Sequence, residues 1–331
     1  MSQIKSPEDL LSAIPFMVGY TPDRSVMIIG IKGEEVEFAM RTEFPDEEDL
    51  TPQAMMEMVK VIKQQKVEET VLVVYGPLLP DLDDSWKYAT MTGEFFQEVL
   101  KIAKLKVIDA MVVVNDKFKS LNCDDEGCCP EYGRPVPDIK ESQIAVEQIV
   151  DGKPMPFASA ADMRKFWDER IKDKNVRDAV VATKNVQNNN DRRAAVDTYH
   201  KLLDTIETGQ DPDQVLAGFL IKACKDSGVR DYMLGATTKD NREAVKKLMM
   251  WLYRRAPRRY IAPLAVNIAI LEYEDGNGAA ANIILDIAEK DIPSYSMTKL
   301  LRNSFRGIMT PDGIEKMRQE LHPKLVKALS E

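Results

Sequence analysis

The residues best equipped for chemistry are three thiols in one short stretch, Cys123-Asp-Asp-Glu-Gly-Cys128-Cys129-Pro130-Glu-Tyr-Gly133-Arg134-Pro135. A thiolate is a nucleophile, a redox partner or a soft-metal ligand, and three within seven positions offer three ligands to one ion. The stretch lacks a pair of C-x2-C hooks, adjacent cysteines rarely share one ion, and no fourth ligand is evident, so no metal is expected. Asp124, Asp125 and Glu126 are the wrong neighbours for a reactive thiolate, which needs positive charge beside it. The favoured expectation is a tight loop of buried thiols packed under a sheet, with Pro130, Gly133 and Arg134 as turn residues.

A second group is the basic cluster Arg254, Arg255, Arg258 and Arg259, set among Trp251, Tyr253 and Tyr260. Guanidinium groups beside aromatic rings can clamp a phosphate or single-stranded nucleic acid. Cations in the last turn of a helix are also favourable against its macrodipole, and that plainer account is preferred. Asp81, Asp83 and Asp84 follow a strand end, where they could hold Mg2+, but Asp84 or Ser85 more readily caps the next helix. The two histidines, His200 and His322, stand in amphipathic helical patterns without metal-pair spacing and read as surface residues. A phosphate-binding glycine loop, a dinucleotide fingerprint and a Gly-x-Ser-x-Gly elbow are all missing. Whether the chain is an enzyme stays undecided on these residues, and no cofactor can be named.

The elements that must position these groups come in two textures. Up to about residue 150 the apolar residues form short β-branched runs between amphipathic stretches. Residues 25–31 (SVMIIGI) and 36–42 (VEFAMRT) flank Lys32-Gly33-Glu34, which predicts a hairpin of antiparallel strands with Gly33 at positive φ. Residues 52–65 place Met55, Met58, Val59 and Ile62 at helical spacing, read as core. Residues 70–75 (TVLVVY) and 107–114 (VIDAMVVV) read as strands covered on both faces, separated by a helix over 85–104. The alternation implies right-handed crossovers and a mixed, partly parallel sheet with flanking helices. Residues 117–122 continue as, or pair with, an edge strand.

From residue 159 onward every periodic segment is helical, with starts near 159, 191, 212, 240, 263, 277, 296 and 311 at Asp, Asn, Ser or Pro. The pair of helices meeting at Glu274-Asp275-Gly276-Asn277-Gly278 follows tetratricopeptide-like logic over about one and a half units. The expected organisation is an α/β domain over 1–138, a linker over 139–158 and an all-α helical domain over 159–331.

Composition bounds the function classes. The chain has 331 residues, 44% hydrophobic and 30% charged, with a formal charge of −9, which is globular composition and opposes a role in wrapping duplex DNA. No stretch has membrane-span length, and the N-terminal residues lack a signal-peptide pattern, so a cytoplasmic protein with no membrane partner is expected. Four cysteines cannot be a disulfide scaffold, and Cys224 reads as a small hydrophobe within a helix.

Several segments together resemble a known family. Residues 13–25 (AIPFMVGYTPDRS), Val73-Val74-Tyr75-Gly76, Cys128-Cys129-Pro130 with Gly133 and Pro135, and Gly276-x-Gly278-Ala279 with Tyr295-Ser296 and Leu300-Leu301 are similar to the domain of unknown function family numbered 4192. The resemblance spans nearly the whole chain and implies an actinobacterial or bacteriophage source, with no activity attached. The Lys and Met content points to a divergent or phage-borne member.

Two functional readings follow. In one, the helical half is a docking surface and the α/β half a recognition or regulatory module, with a protein as partner. In the other, the carboxyl ends of the strands hold a nucleotide or other phosphate-bearing ligand, as open α/β sheets do. Tyr20, Asp23, Arg24, Ser25, Tyr75, Gly76, Asn115 and Asp116 would then line the site with the cysteine loop, and Arg24 would be the anion clamp. The missing nucleophile and base pair favours the interaction reading.

Overall fold

The computed structural model describes residues 4–33, 35–46 and 50–330. The chain divides into two compact units, 1–163 and 164–331. The N-terminal unit is a mixed sheet with flanking helices. It contains helix α1 (Pro7–Val18), strands β1 (Ser25–Lys32) and β2 (Glu35–Glu43), helix α2 (Pro52–Gln64), strand β3 (Glu69–Tyr75), helix α3 (Leu82–Ile102), strands β4 (Lys106–Val114), β5 (Lys117–Ser120) and β6 (Arg134–Pro135), and helix α4 (Gln143–Val150).

The strand order is β2-β1-β3-β4-β5-β6, in which only β3 and β4 are parallel neighbours. β1 and β2 form the expected hairpin with Gly33 at φ 62°, while Glu34 lies outside the described residues. Because β1 lies antiparallel to both β2 and β3, the chain through α2 crosses over β1 to a strand parallel to β2. One face of the sheet packs Val26, Ile28, Leu72, Val74, Ala110, Val112 and Val114 against Ile62 of α2 and Trp86, Ala89, Phe96 and Leu100 of α3. The alternate residues Met27, Ile29, Val71, Val73, Met111 and Val113 are buried as well, as expected of strands covered on both faces.

Three details of this unit refine the sequence reading. Residues 7–18 form a helix although Pro15 sits inside it; Ser6 caps its start, and Gly19 ends it in the left-handed region. Helix α3 starts at Leu82 with Asp81 as its cap, in place of Asp84 or Ser85, because the Asp81 carboxylate accepts from the Asp83 N–H at 2.8 Å. Residues 139–158, read as a linker with one short strand or helix, carry the 3-10 turn Ile139–Glu141 and α4, with Ile144 and Ala145 buried. Phe157 exchanges backbone hydrogen bonds with Gly19 and Thr21, so this stretch has partners inside the N-terminal unit.

The C-terminal unit is helical. α5 (Ala160–Asp168) leads into α6 (Lys174–Ala182), α7 (Asn189–Glu207), α8 (Gln214–Ala223), α9 (Ser227–Gly235), α10 (Arg242–Arg255), α11 (Ile261–Glu274), α12 (Gly278–Asp291), α13 (Ser296–Asn303) and α14 (Pro311–Ser330). The short helices α6 and α9 were not expected. Asp173 and Asp226 cap their starts. α11 is buried along almost its whole length, the mark of a central core helix. Its start is capped from a distance, since the Asp291 carboxylate accepts from the N–H groups of Arg259 (2.6 Å), Ile261 (2.9 Å) and Ala262 (2.9 Å).

Charges inside this unit are paired. Arg318, 4% exposed, meets Glu274, 2% exposed, through two hydrogen bonds of 2.9 and 3.1 Å, and also donates to the Leu234 and Thr237 carbonyls. Arg242 adds a third cation-to-carboxylate contact on Glu274 at 3.0 Å. Among the described residues no helix is long and apolar enough to cross a membrane.

Candidate functional site

The strand edge expected to hold a ligand is assembled by the sheet. Ser25 pairs with Tyr75, the Gly76 N–H donates to Val113 O at 2.8 Å, and Asn115 and Asp116 turn the chain from β4 into β5. Asn115 and Asp116 have φ of 48° and 56°, the paired left-handed conformation of a two-residue hairpin turn, which explains their residue types without a ligand. A side chain at Gly76 would meet Ala89 Cβ at 2.5 Å, so α3 presses directly on the strand end. The Tyr75 phenol is buried and pushed far above its ordinary value by that burial. Ser25 Oγ is buried without a hydrogen-bond partner. Tyr20 is also buried; burial raises its phenol while Arg41, 5.6 Å from the ring centre, opposes the rise. Asp23 and Arg24 are exposed, and Arg24 holds φ 33° while its carbonyl accepts from Phe44 N at 2.7 Å. These residues line neither of the two grooves described below.

The cysteine loop joins β5 to β6 and corrects the expectation of buried thiols. Cys123 and Cys129 are half-buried and Cys128 is exposed. The three sulfur atoms lie within 4.8 Å of one another. A turn makes this convergence: the Asp125 carbonyl accepts from the N–H groups of Cys128 (3.0 Å) and Cys129 (2.7 Å), and its carboxylate accepts from Gly127 N at 2.9 Å. Adjacent residues diverge in extended chain, but here the chain folds back over Cys123. Burial raises the Cys129 thiol, and hydrogen bonds to Cys123 and Cys128 raise it further, against an opposing backbone hydrogen bond at Ser120.

The loop has a fixed base. Ser120 Oγ donates to Asp109 Oδ1 at 2.6 Å, and Asn122 takes a hydrogen bond from Gln97 of α3 at 2.8 Å. Gly133 returns the chain at φ 66°, where a side chain would lie 2.6 Å from the Phe118 carbonyl oxygen. Pro130 closes that turn by accepting from Gly133 N at 2.8 Å. Arg134 crosses the Phe118 ring at 4.9 Å and pairs with Glu8 at 3.2 Å.

Sequence reading missed a groove on the outer side of α2 and α3. It has a volume of about 600 Å³ and is lined by Met55, Met56, Val59, Val99 and Ile102, with Lys60 and Lys63 among its walls. Met56 is 68% and Ile102 74% exposed. Of the stripe read as core, Ile62 is fully buried and Met55 and Met58 pack partly on the core, while Met55 and Val59 also face this groove. The available signal was Met56, which lies off the core stripe.

In the helical unit the four clustered arginines take different positions. Arg254 pairs with Glu169 at 3.1 Å and covers the Phe166 ring; Arg255 lies 3.4 Å from Asp173 and 3.9 Å over the Trp251 ring. Both border a second groove of about 650 Å³ that also includes Asp211, Glu243, Lys246 and Glu272. Arg258 and Arg259 are exposed beyond the helix end, with Arg259 at φ 70°. The two histidines meet at Tyr232. His200 Nε2 is 3.1 Å from its hydroxyl, and the His322 ring lies 5.2 Å from its ring. His322 is half-buried, not a surface residue, and its basicity is lowered by burial, then by Arg318 and His200. Cys224 is fully buried, with its thiol pushed up to about 12.

Comparison with curated proteins and with solved structures finds no match to this chain. A family model described as "Domain of unknown function (DUF4192)" matches residues 7–312, a stretch that takes in the sheet, the cysteine loop, the groove of α2 and α3 and the helical unit through α13. The chain belongs to that family.

Proposed function

We propose that this protein is an interaction module, in which the α/β unit recognises an amphipathic helix of a partner protein and the helical unit serves as a docking scaffold. The observation that carries this reading is the groove of α2 and α3, where large side chains such as Met56 and Ile102 stand in solvent at the edge of a well-packed core. Covering a side chain of that size contributes about 1.5–3 kcal/mol, so a few anchors suffice for a useful affinity. Methionine suits the task because its unbranched chain adapts to differing partners. Lys60 and Lys63 select the occupant's charge: an apolar stripe at i, i+3, i+4 and i+7, flanked by Glu or Asp. The rival reading, a phosphate-bearing ligand at the strand edge, draws less support, because Ala89 closes on Gly76 and Asn115-Asp116 is accounted for as a turn.

The test is a fluorescence titration of the full chain with two designed helical peptides sharing one leucine stripe, one flanked by Glu and the other by Lys. The acidic peptide is expected to bind, more weakly as salt rises, and the basic one not to bind. Met56→Glu and Ile102→Glu should each weaken the acidic peptide by about tenfold, a loss of 1.4 kcal/mol. Equal affinity of both variants and the unaltered chain would sink the reading. Self-association abolished by Ile102→Glu would instead assign the groove to a second copy of the chain.

A further inference from the structure

We infer that Cys123, Cys128 and Cys129 together bind one Zn2+ through three thiolates, leaving the fourth coordination position to solvent. This is independent of the groove and rests on geometry that sequence spacing alone argues against. Tetrahedral zinc with Zn–S bonds near 2.3 Å sets its sulfur ligands about 3.8 Å apart. The three sulfurs already lie within 4.8 Å of one another, so side-chain rotation of about an ångström closes them onto an ion. Among the described residues no other group of three His, Cys, Asp or Glu side chains converges in this way.

The convergence is made by the backbone and does not need the metal. Both N–H groups of the adjacent pair donate to Asp125 O, which turns Cys128 and Cys129 toward Cys123. Ser120, tied to Asp109, directs a backbone hydrogen bond at the Cys129 sulfur, the kind of outer contact that fixes a metal-bound thiolate. The exposed Cys128 and the half-buried Cys123 and Cys129 leave an entry path, which a core thiol such as Cys224 lacks. The run Asp124, Asp125 and Glu126, unsuited to a reactive thiolate, attracts a divalent cation.

Three thiolates and no fourth protein ligand is also the donor set expected of an open site, in contrast to the closed four-ligand set of purely structural zinc. Thiolate donors select soft or borderline cations over Mg2+ or Ca2+. Binding replaces three S–H bonds with three Zn–S bonds and releases up to three protons to the buffer, leaving the ion and its thiolates with one net negative charge.

The experiment uses the full chain, purified under reductant and stripped with a chelator, titrated with Co2+ and then Zn2+. One Co2+ per chain is expected, with a thiolate-to-cobalt charge-transfer band that Zn2+ abolishes. Calorimetry in buffers of different ionisation enthalpy should show proton release. Cys123→Ser and Cys128→Ser should each weaken binding by at least about tenfold. Cys224→Ala should leave it unchanged, and circular dichroism should confirm that each variant folds. Imidazole should shift the visible cobalt bands by taking the open position; unshifted bands would overturn the open fourth site. Absence of a charge-transfer band, or a band that persists in folded Cys123→Ser and Cys128→Ser, would overturn the site altogether. So would a disulfide among the three cysteines in protein alkylated on isolation, which would assign the loop to redox chemistry.

Discussion

The two units handle their reactive side chains in opposite ways. In the helical unit many conspicuous charges are matched within the fold, Arg318 and Arg242 on Glu274, Lys246 on Glu272 and Asp275, Arg254 on Glu169 and Arg255 near Asp173, while Arg258 and Arg259 stay exposed. In the α/β unit the thiols converge at the surface, and Met56 and Ile102 of the groove stand in solvent. A dense cluster of functional groups is therefore a poor guide to function until its partners are known. The arginine cluster reads in the sequence as a possible phosphate clamp, yet two of its members hold α10 against neighbouring segments.

The sharpest way to break this comparison is Arg318→Ala. Removing Arg318 takes two hydrogen bonds from the buried Glu274, which keeps only Arg242, and takes the donor from the Leu234 and Thr237 carbonyls, so a loss of about 3 kcal/mol, the low end for breaking a buried pair, is expected in urea unfolding. A loss below 1 kcal/mol would mean that the helical unit does not depend on its internal charges. Next comes Gly133→Ala, where both positive φ and the approach to Phe118 O resist a side chain; about 1–3 kcal/mol should be lost. An unchanged melting temperature would show that the base of the cysteine loop yields freely.

A smaller effect is expected from pH. His322 resists protonation when folded, chiefly because it is buried, while the unfolded chain takes up a proton near the ordinary value of 6.5. The unfolded state then binds more protons, so stability should fall as pH drops below about 6.5 and be unaffected above it. His322→Gln should flatten that slope, and an identical slope in the variant would exclude His322 as its cause. The smallest expected effect is Met56→Ser. An exposed groove residue is worth within about 0.5 kcal/mol of stability, so a larger loss would mean that the groove is structural.

Much of the scaffold was legible in the sequence, for reasons visible in particular residues. The runs at 25–31, 70–75 and 107–114 are apolar on both faces and short, and they became β1, β3 and β4. The turn residues Asn115 and Asp116 were noticed for their position at a strand end, but their left-handed backbone made them a hairpin turn. The α1 helix was hidden by Pro15, and the short α6 and α9 were not told apart from the stretches around them. The thiol convergence was not legible because it depends on the Asp125 turn, a three-dimensional fact that spacing rules do not contain. The arginine partners were equally out of reach: Glu169 and Asp173 lie about eighty residues before the arginines they meet.

The cap that Asp291 places on α11 has a kinetic consequence. The first turn of the most buried helix is completed by the last residue of the helix that follows it, so neither end of the α11–α12 hairpin is finished alone. Nucleating a helix is costly, and here the contact that offsets the cost at Arg259, Ile261 and Ala262 arrives only when the hairpin closes over roughly thirty residues. The two helices should therefore appear and disappear together. In native-state hydrogen exchange the amides of Ile261 and Ala262 should share the opening rate of the α12 core amides, so the pair behaves as one cooperative foldon.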